Sequence, residues 1–499
     1  MKKKLFVLLI PILLIPITLF PRKENKELVS NTDNLVSFTV DGVESKTMPT
    51  KGSGYIANKI TCKNGSIITF DNDNYIIEVE KLESEDACKI DFSKEIGSNT
   101  VTVTISDTSK IDSTSKTTTE GGKVVFYITG EPESITGGEY TLSSNKLIVN
   151  NVATHINLNI TMTKKIYDQL LADKTTRLTR TNFNAFSTSN TKTLYKSIEN
   201  NTTVYYFAGN ATDNWVKFAG FYWRIIRTNS DKSIRLLFHG TSTTATDAYI
   251  AKTYFNSATK EDNYVGFMYG YVGTSGVNVA DSQAKYSLDY FYSGEGAYNA
   301  DSNKTFDTKP IDYADYISKS AIYCNDRSES SLTARDLRQL IGVPTDGDIY
   351  MATYRLIANK TPSYDCSQSD DKFTVNSYSG NGELDYPVGL MTADEIAFAG
   401  GVYVEELYDT TNILAYYYIN SNGKNSSGDF WTMTPAFHRY EIGDSDAEAN
   451  MFTVKSGKLG RSATNVYSSY VIRPVISIIG TTNWKSGDGS PSNPYELDI

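Results

Sequence analysis

The chain has 499 residues, with 58 acidic against 48 basic side chains, a net charge of −10 and a pI near 5.1. No basic stripe or arm is present to track a phosphate backbone, which sets nucleic acid aside as a partner class. Apolar residues at 39% and aromatic residues at 12% are enough to bury real cores, and the length suggests about three domains.

At the N-terminus, Met1-Lys2-Lys3-Lys4 precedes an apolar run from Leu5 to Phe20, and Pro21-Arg22-Lys23 follows it. That is the layout of an export signal. As a helix the run reaches only about 24 Å against a hydrocarbon core of roughly 30 Å, and Pro11 and Pro16 interrupt it. No small-x-small pair follows closely; the nearest is Leu28-Val29-Ser30. A membrane anchor over residues 1–25 and a cleaved signal peptide therefore both stay open. With the anchor, Lys2, Lys3 and Lys4 remain inside and the remainder is extracellular, at the cell surface; with cleavage the protein is secreted.

Residues 33–95 alternate apolar and polar in short runs, such as Val36-Ser37-Phe38-Thr39-Val40, with turn signals at Asp41-Gly42 and Asn64-Gly65. Residues 96–165 repeat the style. Ile77-Glu78-Val79-Glu80-Lys81-Leu82 aligns with Leu147-Ile148-Val149-Asn150-Asn151-Val152, and Ala87–Phe92 aligns with His155–Ile160 after one gap. The two stretches read as copies of one small all-β module, Ig-like or a β-repeat, which would space a head from the membrane. His155 then falls in the strand slot beside the cysteine position.

Four cysteines form two spaced pairs, and an even count in an exported chain argues for disulfides. Cys62 with Cys88 and Cys324 with Cys366 are the expected bonds, because each pair falls inside one module. Cys-x-x-Cys is absent, and His155, His239 and His438 lack ligand-like spacing.

Residues 166–200 read as a short helix over Lys165–Lys174 and a Thr/Asn/Ser-rich linker. The head, 201–499, opens with a hairpin, Trp215–Arg227 and Ser233–His239, whose Phe221, Trp223 and Ile225 share a core-facing side. Residues 241–330 read as long surface loops over a few short elements. Two helices are expected, over Ser331–Ile341 and after the capping box Thr392-Ala393-Asp394-Glu395, the latter closed by Gly400-Gly401. The last strand, Tyr470–Ile478, contains Pro474 and should lie where its missing donor faces away from a ladder.

Catalytic patterns are scarce. Ser113-Thr114-Ser115-Lys116 and Ser143-Ser144-Asn145-Lys146 fit Ser-x-x-Lys but sit in Ser/Thr-rich modules, and neither Gly-x-Ser-x-Gly nor His-Glu-x-x-His occurs. Asp346-Gly347-Asp348 and Asp444–Glu448 carry oxygen ligands of the kind Ca²⁺ takes, yet read first as solvated turns. No cofactor is expected, and Asp394 and Glu395 are accounted for by the helix start.

The run Gly389–Gly401, the segment Phe430-Trp431-Thr432-Met433-Thr434-Pro435, the closing Val471-Ile472-Arg473-Pro474-Val475-Ile476 and the hairpin Phe221–Arg227 together resemble an uncharacterised surface-protein domain of gut Firmicutes. The N-terminal repeats are similar to β-repeat modules of such surface proteins. More remotely, the Thr-led helix ending in Gly-Gly resembles the Leu-Pro-Thr-Glu-x-Glu-Trp-Glu helix of formylglycine-generating enzymes, whose fold is C-type-lectin-like. The resemblance implies an α+β C-type-lectin-like head with a ligand surface built from loops late in the domain. Here these would supply Phe437, His438, Arg439, Tyr440, Arg461, Asn465, Tyr467 and Tyr470, aromatics mixed with adaptable polar groups. Formylglycine-generating enzymes depend on late cysteines, and this chain has none after Cys366. The expectation is recognition of an extracellular glycan or protein in an adhesion-type role. The alternatives are a structural envelope component or an unrecognised enzyme.

Overall fold

The computed structural model describes residues 36–83, 86–94, 99–183, 191–256, 265–270, 277–295, 302–330, 349–401, 417–418, 429–439, 448–455, 458–459 and 464–499. The N-terminal apolar run and the expected helix Ser331–Ile341 lie outside them. Among the described residues no helix is long and apolar enough to cross a membrane. The chain is mostly β-strand with few helices, and it divides after Met162 into two compact units.

The first unit holds two small cores. One gathers Ile68, Cys88, Ile90 and Phe92; the other gathers Val101, Val103, Phe126, Leu147, Val149 and Leu158. Strand alternation produces both, since every second residue of Asn99–Ile105 is buried. The two modules share one pairing scheme. Val36–Val40 runs parallel to Cys88–Lys94, with Val36 opposite Cys88, just as Asn99–Ile105 runs parallel to Ile156–Met162, with Val101 opposite Ile156. Tyr55–Cys62 and Pro132–Thr136 add antiparallel to those last strands, and the hairpins 67–81 and 141–152 correspond in turn. The second module has one strand more, Gly122–Tyr127, paired to Lys146–Val152.

Cys62 and Cys88 are bonded, as are Cys324 and Cys366, and the described residues include no free cysteine. Ile156 stands where the first module has Cys88, and it packs so closely on Gly138 that a Cβ there would meet its Cγ2 at 2.7 Å. His155 accepts a hydrogen bond at Nδ1 from the Thr100 N–H (2.9 Å).

The second unit is built on a nine-stranded and a seven-stranded sheet around one large core. The stretch read as a linker belongs to it. The helix Ile166–Asp173 buries Ile166 and Leu170 in the main core, and Thr176–Thr179 and Thr193–Glu199 are strands of the larger sheet. Threonine-rich composition serves a strand as readily as a loop, because β-branched side chains suit the pleat.

Trp215–Arg227 is likewise two strands, Trp215–Phe218 and Phe221–Thr228. They turn at Ala219-Gly220, where both φ angles are positive, the conformation tight hairpins need. Phe221, Trp223 and Ile225 are buried in the core as expected. The middle region, read as long surface loops over a few short elements, carries as its main element the helix Gln283–Ser293, capped by Ser282 and stopped by left-handed Gly294. Arg473-Pro474 separates Tyr470–Ile472, in the smaller sheet, from Val475–Ile478, in the larger, so the proline sits at a change of sheet rather than inside a ladder.

Candidate functional site

The helix Ala393–Phe398 organises a buried polar cluster in the head. Thr392 Oγ1 accepts the Glu395 N–H (3.1 Å), and Glu395 Oε2 accepts the Thr392 N–H (3.0 Å), the reciprocal bonds of a capping box. This fixes the carboxylate so that Oε1 faces Arg227 Nε at 3.0 Å and Arg235 Nε at 2.6 Å. Arg227 also meets Glu199 at 2.8 Å. Asp394, the residue before Glu395, pairs with Arg355 (2.7 Å), which also reaches Asp326 (2.8 Å).

Three guanidinium groups thus sit among four carboxylates, and the Arg227 and Arg235 planes lie 4.3 and 4.5 Å from the Tyr364 and Tyr323 ring centres. Burial pulls the pKa values of Arg227 and Arg355 down, but their carboxylate partners outweigh it and hold both above the usual arginine range. Burial pushes the Tyr364 and Tyr323 hydroxyls up as well.

Cys324 lies on the wall of this cluster, and the remaining room, about 20 Å³, suits a water molecule. A second polar hollow of about 180 Å³ shares Glu199 and Ile322 with it and is lined by Asn200, Asn229, Ser230, Asp231 and Ser320. The first cluster, with one more carboxylate than guanidinium, ties the hairpin strands to the strand Thr193–Glu199 and to the helix Ala393–Phe398, and that helix in turn to Arg355 and Asp326. The second is open enough to admit a small polar ligand.

Three carboxylates elsewhere, Asp281, Asp289 and Asp385, come within 4.8 Å of one another in a cation-binding arrangement. The cation is the protein's own. Lys285 Nζ lies 3.1, 2.7 and 3.1 Å from them, its side chain fully buried. One ammonium among three carboxylates leaves excess negative charge, and burial raises the Asp289 pKa to about 6. The Ca²⁺ candidates Asp346, Asp348 and Asp444 lie outside the described residues, as does the Glu448 side chain.

The residues assigned to late loops separate in the structure. Phe437 and His438 belong to the strand Phe430–Arg439, not to a loop, and His438 is only 2% exposed. The strand was disguised by Pro435, which the ladder accommodates with register shifts on either side. Asn465 lies on the short strand Thr464–Asn465, and the register sets Phe437, Asn450 and Asn465 side by side across three strands. Tyr440 and Arg461 lie outside the described residues, as do the Arg439 and Asn465 side chains.

Tyr470 is half-buried against the Trp431 ring, at 5.1 Å. Tyr467 is 51% exposed and stacks flat on Tyr254, with centroids 4.5 Å apart and planes within 1°. Tyr254 was not anticipated. It directly follows the strand Ala251–Thr253, which pairs with Tyr470–Ile472, and residues 249–255 carry no alternation in sequence that marks it.

Compared with known proteins, the chain matches no family model, no curated protein and no solved structure.

Proposed function

We propose that the chain is an exported protein held at a bacterial-type cell surface by its N-terminal segment, with tandem β-modules spacing an adhesion-type head that recognises an extracellular glycan or protein. The observation that carries the export half of this reading is the pairing of all four cysteines, one disulfide in each unit. Such bonds persist in oxidising compartments. Repetition of one pairing scheme in the first unit suits a spacer.

For the head, a C-type-lectin-like arrangement is supported by its closure. The terminal strand Tyr495–Leu497 returns to pair beside Trp215–Phe218, near the head's beginning. The recognition surface is assigned to the Tyr254–Tyr467 stack, a rigid aromatic face of the kind that meets sugar rings or apolar side chains at low entropic cost.

Glycan arrays and intact-cell binding with residues 34–499 test the reading. Saturable binding that weakens at least tenfold in a folded Tyr254→Ala, Tyr467→Ala double variant is expected. A folded protein that binds nothing but assembles into ordered layers would favour a structural envelope role instead.

A further inference from the structure

The single strand by which the two modules differ leaves a measurable trace. In the second module Leu147 and Val149 are fully buried, because Phe126 and Val124 of the strand Gly122–Tyr127 stand opposite them in the ladder. Ile77 and Val79 hold the matching places in the first module, facing Phe70 and Ile68 across the hairpin. On their other side no strand follows among the described residues. Ile77 is only half-buried and Val79 is 41% exposed. An apolar pair that its sister module seals is thus left open along an unpaired sheet edge, a standing template for another strand.

We propose that the open edge of Ile76–Lys81 takes up an extended segment donated by another polypeptide, which completes the first module as Gly122–Tyr127 completes the second. The sister strand shows the chemistry that fits. Apolar side chains at alternate positions cover Ile77 and Val79, and a basic residue among the intervening ones, as Lys123 is in the sister strand, answers the exposed Glu78 and Glu80. A second copy of the same edge fits poorly, because antiparallel pairing with itself sets glutamates near glutamates, and like charges across a ladder repel. Gly122–Tyr127 of a second copy is already committed to its own module.

The test uses residues 34–499 with both disulfides intact and, as probe, a labelled synthetic peptide with the sequence of residues 121–129, followed by fluorescence anisotropy. Saturable binding is expected, weakened at least tenfold by Val79→Lys and absent for a scrambled peptide. Hydrogen exchange should show amides of residues 76–81 becoming protected only when the peptide is present, a readout that stands even if Val79→Lys proves unstable. Absence of binding at millimolar peptide overturns the proposal, as does binding indifferent to Val79→Lys without new protection at 76–81. A chain that dimerises through this edge, losing its dimer on Val79→Lys, also overturns it in favour of self-association.

Discussion

Glu395 Oε1 lies 2.6 Å from Arg235 Nε, and both side chains are 1% exposed. The carboxylate that closes the helix cap with one oxygen contacts two buried arginines with the other, sharing Arg227 with Glu199. Removing it leaves charge stranded in the core. We predict that Glu395→Ala costs about 3–5 kcal/mol, the usual loss when one partner of a buried pair is deleted. Thr392→Ala, which removes only a cap bond, should cost about 1 kcal/mol. Denaturant unfolding of the head measures both, and equal losses would reduce Glu395 to a capping residue.

A second prediction concerns pH. The native state keeps a proton on Asp289 up to about pH 6, whereas the ordinary carboxyl releases it near 3.8. Between these values the folded form binds more protons than the unfolded one, so this group's contribution to stability falls as pH rises through that window. The amount is on the order of 3 kcal/mol at most. Asp289→Asn deletes it, and the variant should gain on the wild type between pH 4 and pH 7 in parallel denaturation curves. Parallel pH profiles would contradict the assignment.

Because Lys285 fills the position a cation would take, its removal should create a cation site. Lys285→Ala is expected to be destabilised and then to regain melting temperature with millimolar Ca²⁺, while the wild type responds little. A variant indifferent to Ca²⁺ would show that the three carboxylates relax apart without their ammonium.

Tyr467 and Tyr470 lie three residues apart and should behave differently. Tyr467→Ala removes an exposed ring from a stacked pair and should cost no more than about 1.5 kcal/mol while weakening ligand binding. Tyr470→Ala loosens the packing on Trp431 and should lower stability more than it lowers binding by the folded fraction. Thermal melts alongside binding titrations separate the two.

Local chemistry made much of this architecture readable. The Thr392–Glu395 box, both cysteine pairs, the helix after Lys165 and the core face of Phe221, Trp223 and Ile225 each rest on residues adjacent in sequence or confined to one module. The helix Gln283–Ser293 was hidden because its buried side includes a lysine, so its pattern looks polar until Asp281, Asp289 and Asp385 are seen around it. Likewise Glu395 reads as a cap residue alone, since Arg227 lies 168 positions away and only the fold brings it near. The strand Phe430–Arg439 was obscured by Pro435, and Asn450 of the strand beside it and Asn465 of the strand beyond come from separate segments.

The central claim, that everything after the N-terminal segment lies outside the cell, is tested most directly by protease shaving of intact cells followed by mass spectrometry. The account predicts that peptides from both β-modules and from the head are released while cytoplasmic markers stay intact. A head that remains protected until the cells are lysed would contradict the topology and, with it, the oxidising environment its two disulfides require.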